Sequence, residues 1–424
     1  MDAKDGNQTQ QVQVQESHKR NLEIEQTSGE GVGITMQPGT DSHPEVDQHP
    51  LKKLRARSRN EIFEDFKKQG EQIAQQEIMN GGRADFAKQS SMKDSDAHLF
   101  GGSRLSVGYS DFAELVRGGF SFIDKSMLIA EFIESSDKVS MIFRPCGFGK
   151  SINLSMLRVF FEKIENESDA NRTIRENIFK QLRIYEHKKS LFNSEFGKYP
   201  VIFLDFKGIT GDTWEEMLNR THLWMAKIYR EHGYVLGKLS QYEQTEFKLT
   251  EEKKQTVWYL KIALRELSEY LTRSCEKKCI VLAHGFDTLV EAAFSKGYYQ
   301  VALDFFKEMF NSLLVRNTNL NKALFLGVLP LYIQNFFSNV PNVCIYTMRS
   351  PQYARYFGFT GEEVALIINQ WRNNVSIESI QGWYNGHWIG QARQKYNMYN
   401  PSSITSLFSK KTLELKGYWS NIGP

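Results

Sequence analysis

The stretch Val139-Ser140-Met141-Ile142-Phe143-Arg144-Pro145-Cys146-Gly147-Phe148-Gly149-Lys150-Ser151 decides the fold. Its first five residues are almost continuously apolar, as a strand buried on both faces requires. A loop with two glycines follows and ends Gly-Lys-Ser. Beyond it Leu154, Leu157 and Phe161 recur at helical spacing. Strand, glycine-containing loop and helix together are the context of a phosphate-binding loop, in which main-chain N–H groups and the positive helix end hold phosphate oxygens. The nucleotide-binding residues expected here are Gly147, Phe148, Gly149, Lys150 and Ser151. Lys150 would reach the β- and γ-phosphates of ATP, and the Ser151 hydroxyl is the expected Mg²⁺ ligand. One position departs from the pattern G-x-x-x-x-G-K-[ST], because Arg144 stands where the first glycine would be.

Outward from this stretch, four further short apolar runs repeat the strand signal: Val201–Phe206, Cys279–Ala283, Ala323–Val328 and Val343–Tyr346. Helical stripes separate them. One runs through Trp214, Met217, Leu218, Thr221, Met225 and Ile228 and opens with a Thr213-x-x-Glu216 capping box. Others run through Val257, Leu260, Leu264, Leu267 and Leu271, and through Val301, Phe305, Met309 and Leu313. Strands alternating with helices predict an α/β fold with a parallel sheet covered on both faces. The expected core spans residues 105–347, and a C-terminal helical part spans 348–424.

Towards the N-terminus the pattern fades. The first aromatic residue is Phe63, although aromatics make up 13% of the chain. Residues 1–60 are too polar to offset the entropy of ordering and are expected to be disordered. Within them residues 52–59 carry five basic side chains, a pattern of either a nuclear-import signal or a solvated charge run. Residues 61–104 comprise an amphipathic helix, ending at Asn80-Gly81-Gly82, and a polar linker.

The 53 basic and 50 acidic residues nearly cancel, so overall charge gives no argument for a polyanion or membrane-surface binder. Cys146, Cys275, Cys279 and Cys344 form no metal-binding spacing and suit a reducing compartment. No apolar run is long enough to cross a membrane, and a soluble intracellular protein, cytoplasmic or nuclear, is expected.

The chain resembles the AAA-ATPase-like domain family of phosphate-loop proteins, whose loop usually reads Arg-Pro-Arg-Arg-Phe-Gly-Lys-Ser. The likeness extends through Ser110–Leu115, Phe122–Lys125, Ser155–Arg158, Tyr199–Leu204, Tyr356–Thr360, Trp383–Gly386 and Tyr399–Pro401. Longer members often carry a nuclease-like domain, which would begin about where this sequence ends. The resemblance implies ATP and magnesium, and a strand ending Asp-Glu-Tyr-Asp that supplies carboxylates to the metal. Here that run reads His284-Gly285-Phe286-Asp287, so two carboxylates are replaced by an imidazole and a hydrogen. Asp287 is expected as a helix-cap or turn residue. After the next strand, Leu326 and Pro330 replace a polar group and an arginine that relatives carry.

These losses point to a degenerate ATPase-like protein that binds nucleotide weakly or not at all and acts through an unnamed protein partner. No residue is assigned a catalytic role. A second reading is a slow ATPase in which another acid replaces those lost. A third, a nuclear nucleic-acid-linked regulator, rests on the basic run and on nuclease-bearing relatives. Cys146 reads as a passive loop thiol, His222 and His232 as satisfied structural histidines, and Trp383, Tyr384, His387 and Trp388 as packing residues.

Overall fold

Burial on both faces explains why the central apolar runs form a layered sheet. The computed structural model describes residues 97–418, apart from 103, 329, 331–335, 338–339, 342, 372–374, 385–386, 392–393 and 410–414. The polar tail 1–60, its basic run 52–59 and the amphipathic segment 61–79 lie outside the described residues. The described strands are β1 (Leu99–Phe100), β2 (Phe122–Ile123), β3 (Val139–Phe143), β4 (Val201–Asp205), β5 (Cys279–His284), β6 (Leu320–Gly327), β7 (Val343–Tyr346), β8 (His387–Gln391) and β9 (Gln394–Met398).

Five of them form one parallel sheet in the order β4-β5-β6-β3-β7. Successive side chains on a strand point to opposite faces. Val139, Met141, Phe143, Val281, Ala283 and Phe325 therefore join one apolar cluster, with the helices Trp214–Glu231, Val257–Cys275 and Tyr299–Leu314. Ile142, Ile280, Leu282, Leu324 and Leu326 join a second, with the helices Met127–Glu134, Lys150–Phe161 and Asp169–Lys180. Within the second cluster the Phe160 ring meets those of Phe161, Phe179, Phe192 and Phe196, all with centroids 5.0 to 5.8 Å away. The expected α/β class, a parallel sheet with helices on both faces, is what the structure has.

β3 lies between β6 and β7, and so is separated from β5 by β6. Gly327 closes β6 opposite Phe143, where an added Cβ would stand 2.7 Å from the Phe143 ring. Only glycine lets these two strand ends lie so near.

The capping box at residue 213 forms by half. The Thr213 hydroxyl accepts from the Glu216 N–H, but the Glu216 carboxylate accepts from the N–H of Asp212 rather than Thr213. The C-terminal part is less purely helical than expected. Besides the helices Gly361–Trp371, Ile377–Tyr384 and Pro401–Phe408, it contains the antiparallel pair β8–β9. Of its aromatic group, Tyr384 is buried while Trp383 and Trp388 are 55% and 45% exposed. Ile389 takes the inward place on β8, so its neighbour Trp388 faces out, with the Lys395 ammonium 4.8 Å from the ring centroid.

A buried ion pair ties the region before the sheet to the C-terminal part. Lys125 Nζ lies 2.6 and 2.7 Å from the two carboxylate oxygens of Glu363 and donates to the Arg355 carbonyl at 2.7 Å. The Glu363 carboxylate also accepts from the Thr360 N–H, and its own N–H donates to the Thr360 hydroxyl, closing a capping box around the first turn of Gly361–Trp371. Burial pushes the Lys125 ammonium below its ordinary range, and Glu363 opposes that shift. Replacing Glu363→Ala strands the ammonium in the interior and is expected to cost about 3–5 kcal/mol of unfolding free energy, measured by urea titration. A loss of under about 1 kcal/mol, the range of exposed pairs, would contradict that role.

Candidate functional site

The loop 144–149 emerges from β3, and its shape is set by two glycines and three sets of ties. Gly147 and Gly149 have φ of 80° and 77°, in the left-handed region that side-chain-bearing residues avoid. Gly149 caps the helix Lys150–Phe161 with no side-chain hydrogen bond, so no capping oxygen competes for its leading N–H groups.

Arg144 makes the first tie. It has no exposed surface and donates to the carbonyls of Phe143 and Thr347 at 2.8 and 2.9 Å, with longer contacts to Tyr346 and Gln352 at 3.4 Å. Its guanidinium also faces the Phe357 ring. Burial lowers its pKa to about 10, so it stays charged at neutral pH. The residue that breaks the expected glycine pattern is thus a strut joining the end of β3 to the segment after β7.

Lys150 makes the second tie. Its ammonium folds over the loop and donates to the carbonyls of Arg144 and Pro145, both at 2.7 Å. The third tie comes from the far end of the chain. The Asn400 amide donates to the Cys146 carbonyl at 3.0 Å, while the N–H and hydroxyl of Ser402 donate to the Gly147 carbonyl at 3.3 and 3.2 Å. A Cβ on Gly147 would stand 2.6 Å from Asn400 Oδ1 and 2.9 Å from Ser402 Oγ. Phe148 completes the anchorage. Its wholly buried ring packs with Ala354, Ile389 and Met398 and lies edge-on to His387. Of the five expected binding residues, Phe148 therefore has only its main chain to offer a ligand.

Ser151, the last of the five, lies in the first turn of the helix. Its hydroxyl accepts from the Lys207 ammonium at 3.3 Å. Lys207 follows β4, and its N–H donates to Asp205 Oδ1 at 2.9 Å. Asp205 pairs in register with His284 on β5, whose Nε2 stands 3.5 Å from the same oxygen. Burial holds the imidazole below its ordinary range, although Asp205 pulls the other way. Gly285 has φ of 75° and caps the helix Phe286–Ser295. Asp287 is not the cap residue expected. Its carboxylate reaches across and accepts from the Val328 N–H at 3.1 Å.

The magnesium expected beside Ser151 does not fit this donor set. Mg²⁺ needs hard oxygen ligands in near-octahedral array. Here the Ser151 hydroxyl faces an ammonium, and the two positions that would supply carboxylates hold an imidazole and a glycine. Among the described residues no group of three or more His, Cys, Asp or Glu side chains could hold a metal ion. Leu326 is buried in the second apolar cluster and offers no polar group to a ligand.

Asp205, Lys207, Asn400 and Ser402 were not among the expected site residues. Asp205 and Lys207 bracket the apolar run that forms β4, so the turn after that strand was their available signal. Tyr399-Asn400-Pro401 carried only likeness, with no chemistry that its spacing could reveal. Of the other residues weighed, Cys146 is exposed, and His232 is buried with its pKa lowered to about 4 by burial. A family model described as a predicted AAA-ATPase matches residues 106–337, more than half of the chain. No curated protein matches it.

Two glycines provide a direct measure of how tightly the loop is held. Gly147 and Gly208 share nearly the same φ, 80° and 84°, but nothing stands within 4 Å of a Cβ at 208. Gly208→Ala is expected to lose only the left-handed backbone term, about 1–2 kcal/mol. Gly147→Ala is expected to lose that and more, because Asn400 and Ser402 must shift. Equal losses in denaturant titrations would show that those contacts do not constrain the loop.

Proposed function

The chain belongs to the AAA-ATPase-like family, and we propose that this member is a nucleotide-binding pseudo-ATPase that acts through protein interaction. The observation that carries this reading is the contrast within the site. The phosphate loop keeps its left-handed glycines, its uncapped helix start and a partly buried lysine, whereas the carboxylates that would serve metal and water are replaced. Gly147, Gly149, Lys150 and Ser151, with the main chain of Phe148, are the binding residues proposed for the phosphates of ATP. Removing one electrostatic stabiliser from an active site typically costs about 10²–10³ in rate, so the combined replacements at 284, 285, 326 and 330 support binding with little turnover.

A site that binds without firing influences other molecules only through the shape it stabilises. The ties from Asn400 and Ser402 to the loop support that role, because they connect occupancy of the loop to the C-terminal part. The slow-ATPase reading has Asp205 in its favour, a carboxylate one strand away from the lost pair. Lys207 and His284 both contact that carboxylate, which leaves it poorly placed to hold a metal.

Three measurements test the proposal. Calorimetric titration of the full chain with ATP is expected to show binding that Lys150→Ala abolishes. Turnover of ATP is expected to stay below about 1 s⁻¹, the low end of ordinary enzyme rates. Affinity should also depend on pH in a defined direction. Burial lowers Lys150 to about 8, helped by Lys207 and Arg144 and opposed by Cys146 and Asp287. The phosphate anion favours the ammonium form, so affinity holds below about pH 8 and declines above it, by at most about tenfold per unit. An affinity that is flat between about pH 7 and pH 9 would remove Lys150 from the site.

A further inference from the structure

The Ser151 hydroxyl, the atom expected to meet a divalent metal, is met instead by the Lys207 ammonium at 3.3 Å. From this contact and the room made by Gly285 we infer that Lys207 is a built-in cation, and that the loop takes the triphosphate of ATP without magnesium. The inference rests on the reading of the loop as a nucleotide site and adds to it a residue and a metal requirement.

Placement comes first. The Lys207 N–H is fixed by Asp205 Oδ1 at 2.9 Å, two residues back at the end of β4. That turn sets where the side chain starts, and its ammonium ends at the first turn of the loop's helix. The side chain is otherwise exposed, so it is free of the interior and can follow a ligand.

Room comes second. A Cβ at position 285 would stand 3.0 Å from Lys207 Cγ and 3.2 Å from its main-chain nitrogen. The glutamate that relatives carry at this position would therefore crowd the lysine as it now lies. Loss of the acid and use of the lysine are two sides of one rearrangement.

Charge comes third. Lys207 contacts the Ser151 hydroxyl and is near enough to Lys150 to depress its pKa, so Coulomb repulsion from two ammonium groups opposes a further dication beside Ser151. A phosphate chain needs compensating positive charge, and these two side chains supply it. A single-charged ammonium is a weaker Lewis acid surrogate than Mg²⁺, since it can neutralise phosphate oxygens but cannot activate a water. Binding retained without hydrolysis is the result expected of such a substitution.

The test is titration of the full chain with a fluorescent ATP analogue, once in EDTA and once with excess magnesium chloride. The parent is expected to bind equally well in both. Lys207→Met should weaken binding in EDTA by about tenfold or more, the loss expected of one charge-assisted hydrogen bond, and Lys207→Arg should restore most of it. Because the residue is exposed, neither variant threatens folding. Parent binding only with magnesium, or Lys207→Met binding as tightly as the parent in EDTA, would overturn the role of Lys207 and leave the nucleotide reading standing. A parent that binds in neither buffer would overturn both.

Discussion

A guanidinium without exposed surface is what the site depends on. Arg144 sits where the chain leaves β3, and the carbonyls it gathers come from β3 itself and from the segment after β7. A buried cation with poor partners is strongly unfavourable, so once these carbonyls are supplied the loop has few other ways to run. The left-handed glycines, the fold of Lys150 over the loop and the docking of Phe148 all follow from where that strut sends the chain. A glycine at 144 would give the turn freely but tie nothing, and this protein has an anchored loop in place of a free one.

The sheet was largely legible because its central strands are buried on both sides, which leaves almost no choice of residue along a run such as Cys279–Ala283, whereas the edge strand β7 is only half-buried, with Ile345 exposed. The loop 144–149 was legible for a different reason: its residues sit between a buried strand and a helix, and that order is written linearly. The rest is written across distance. Lys207 and Ser151 are 56 positions apart, and Asn400 and Cys146 are 254 apart. No local periodicity links such pairs. The β8–β9 pair was not legible because it is partly solvated, so its alternation is thin beside the helical stripes that flank it. Trp383 and Trp388 misled for the reverse reason, since large aromatic residues suggest packing although an amphipathic ring can also face outward.

The structure also changes what degeneracy means here. Read as a string, His284 and Gly285 are losses. In space a Cβ at 285 would crowd Lys207, whose ammonium reaches Ser151, and His284 lies 3.5 Å from the carboxylate that accepts from the Lys207 N–H. His284, Asp205 and Lys207 thus form one chain of contacts that ends at Ser151. The loop beside them keeps two glycines in a backbone region that side chains avoid and a partly buried lysine that spans its carbonyls.

The contact from Asn400 and Ser402 has a bearing on how the molecule could be divided. The stretch matched by the family model stops at residue 337, well short of the side chains that grip the loop. A fragment trimmed to that stretch would keep every letter of the motif and lose the hand that holds it in shape. The piece that completes the loop's anchorage therefore lies beyond the matched stretch, at the start of the helix Pro401–Phe408.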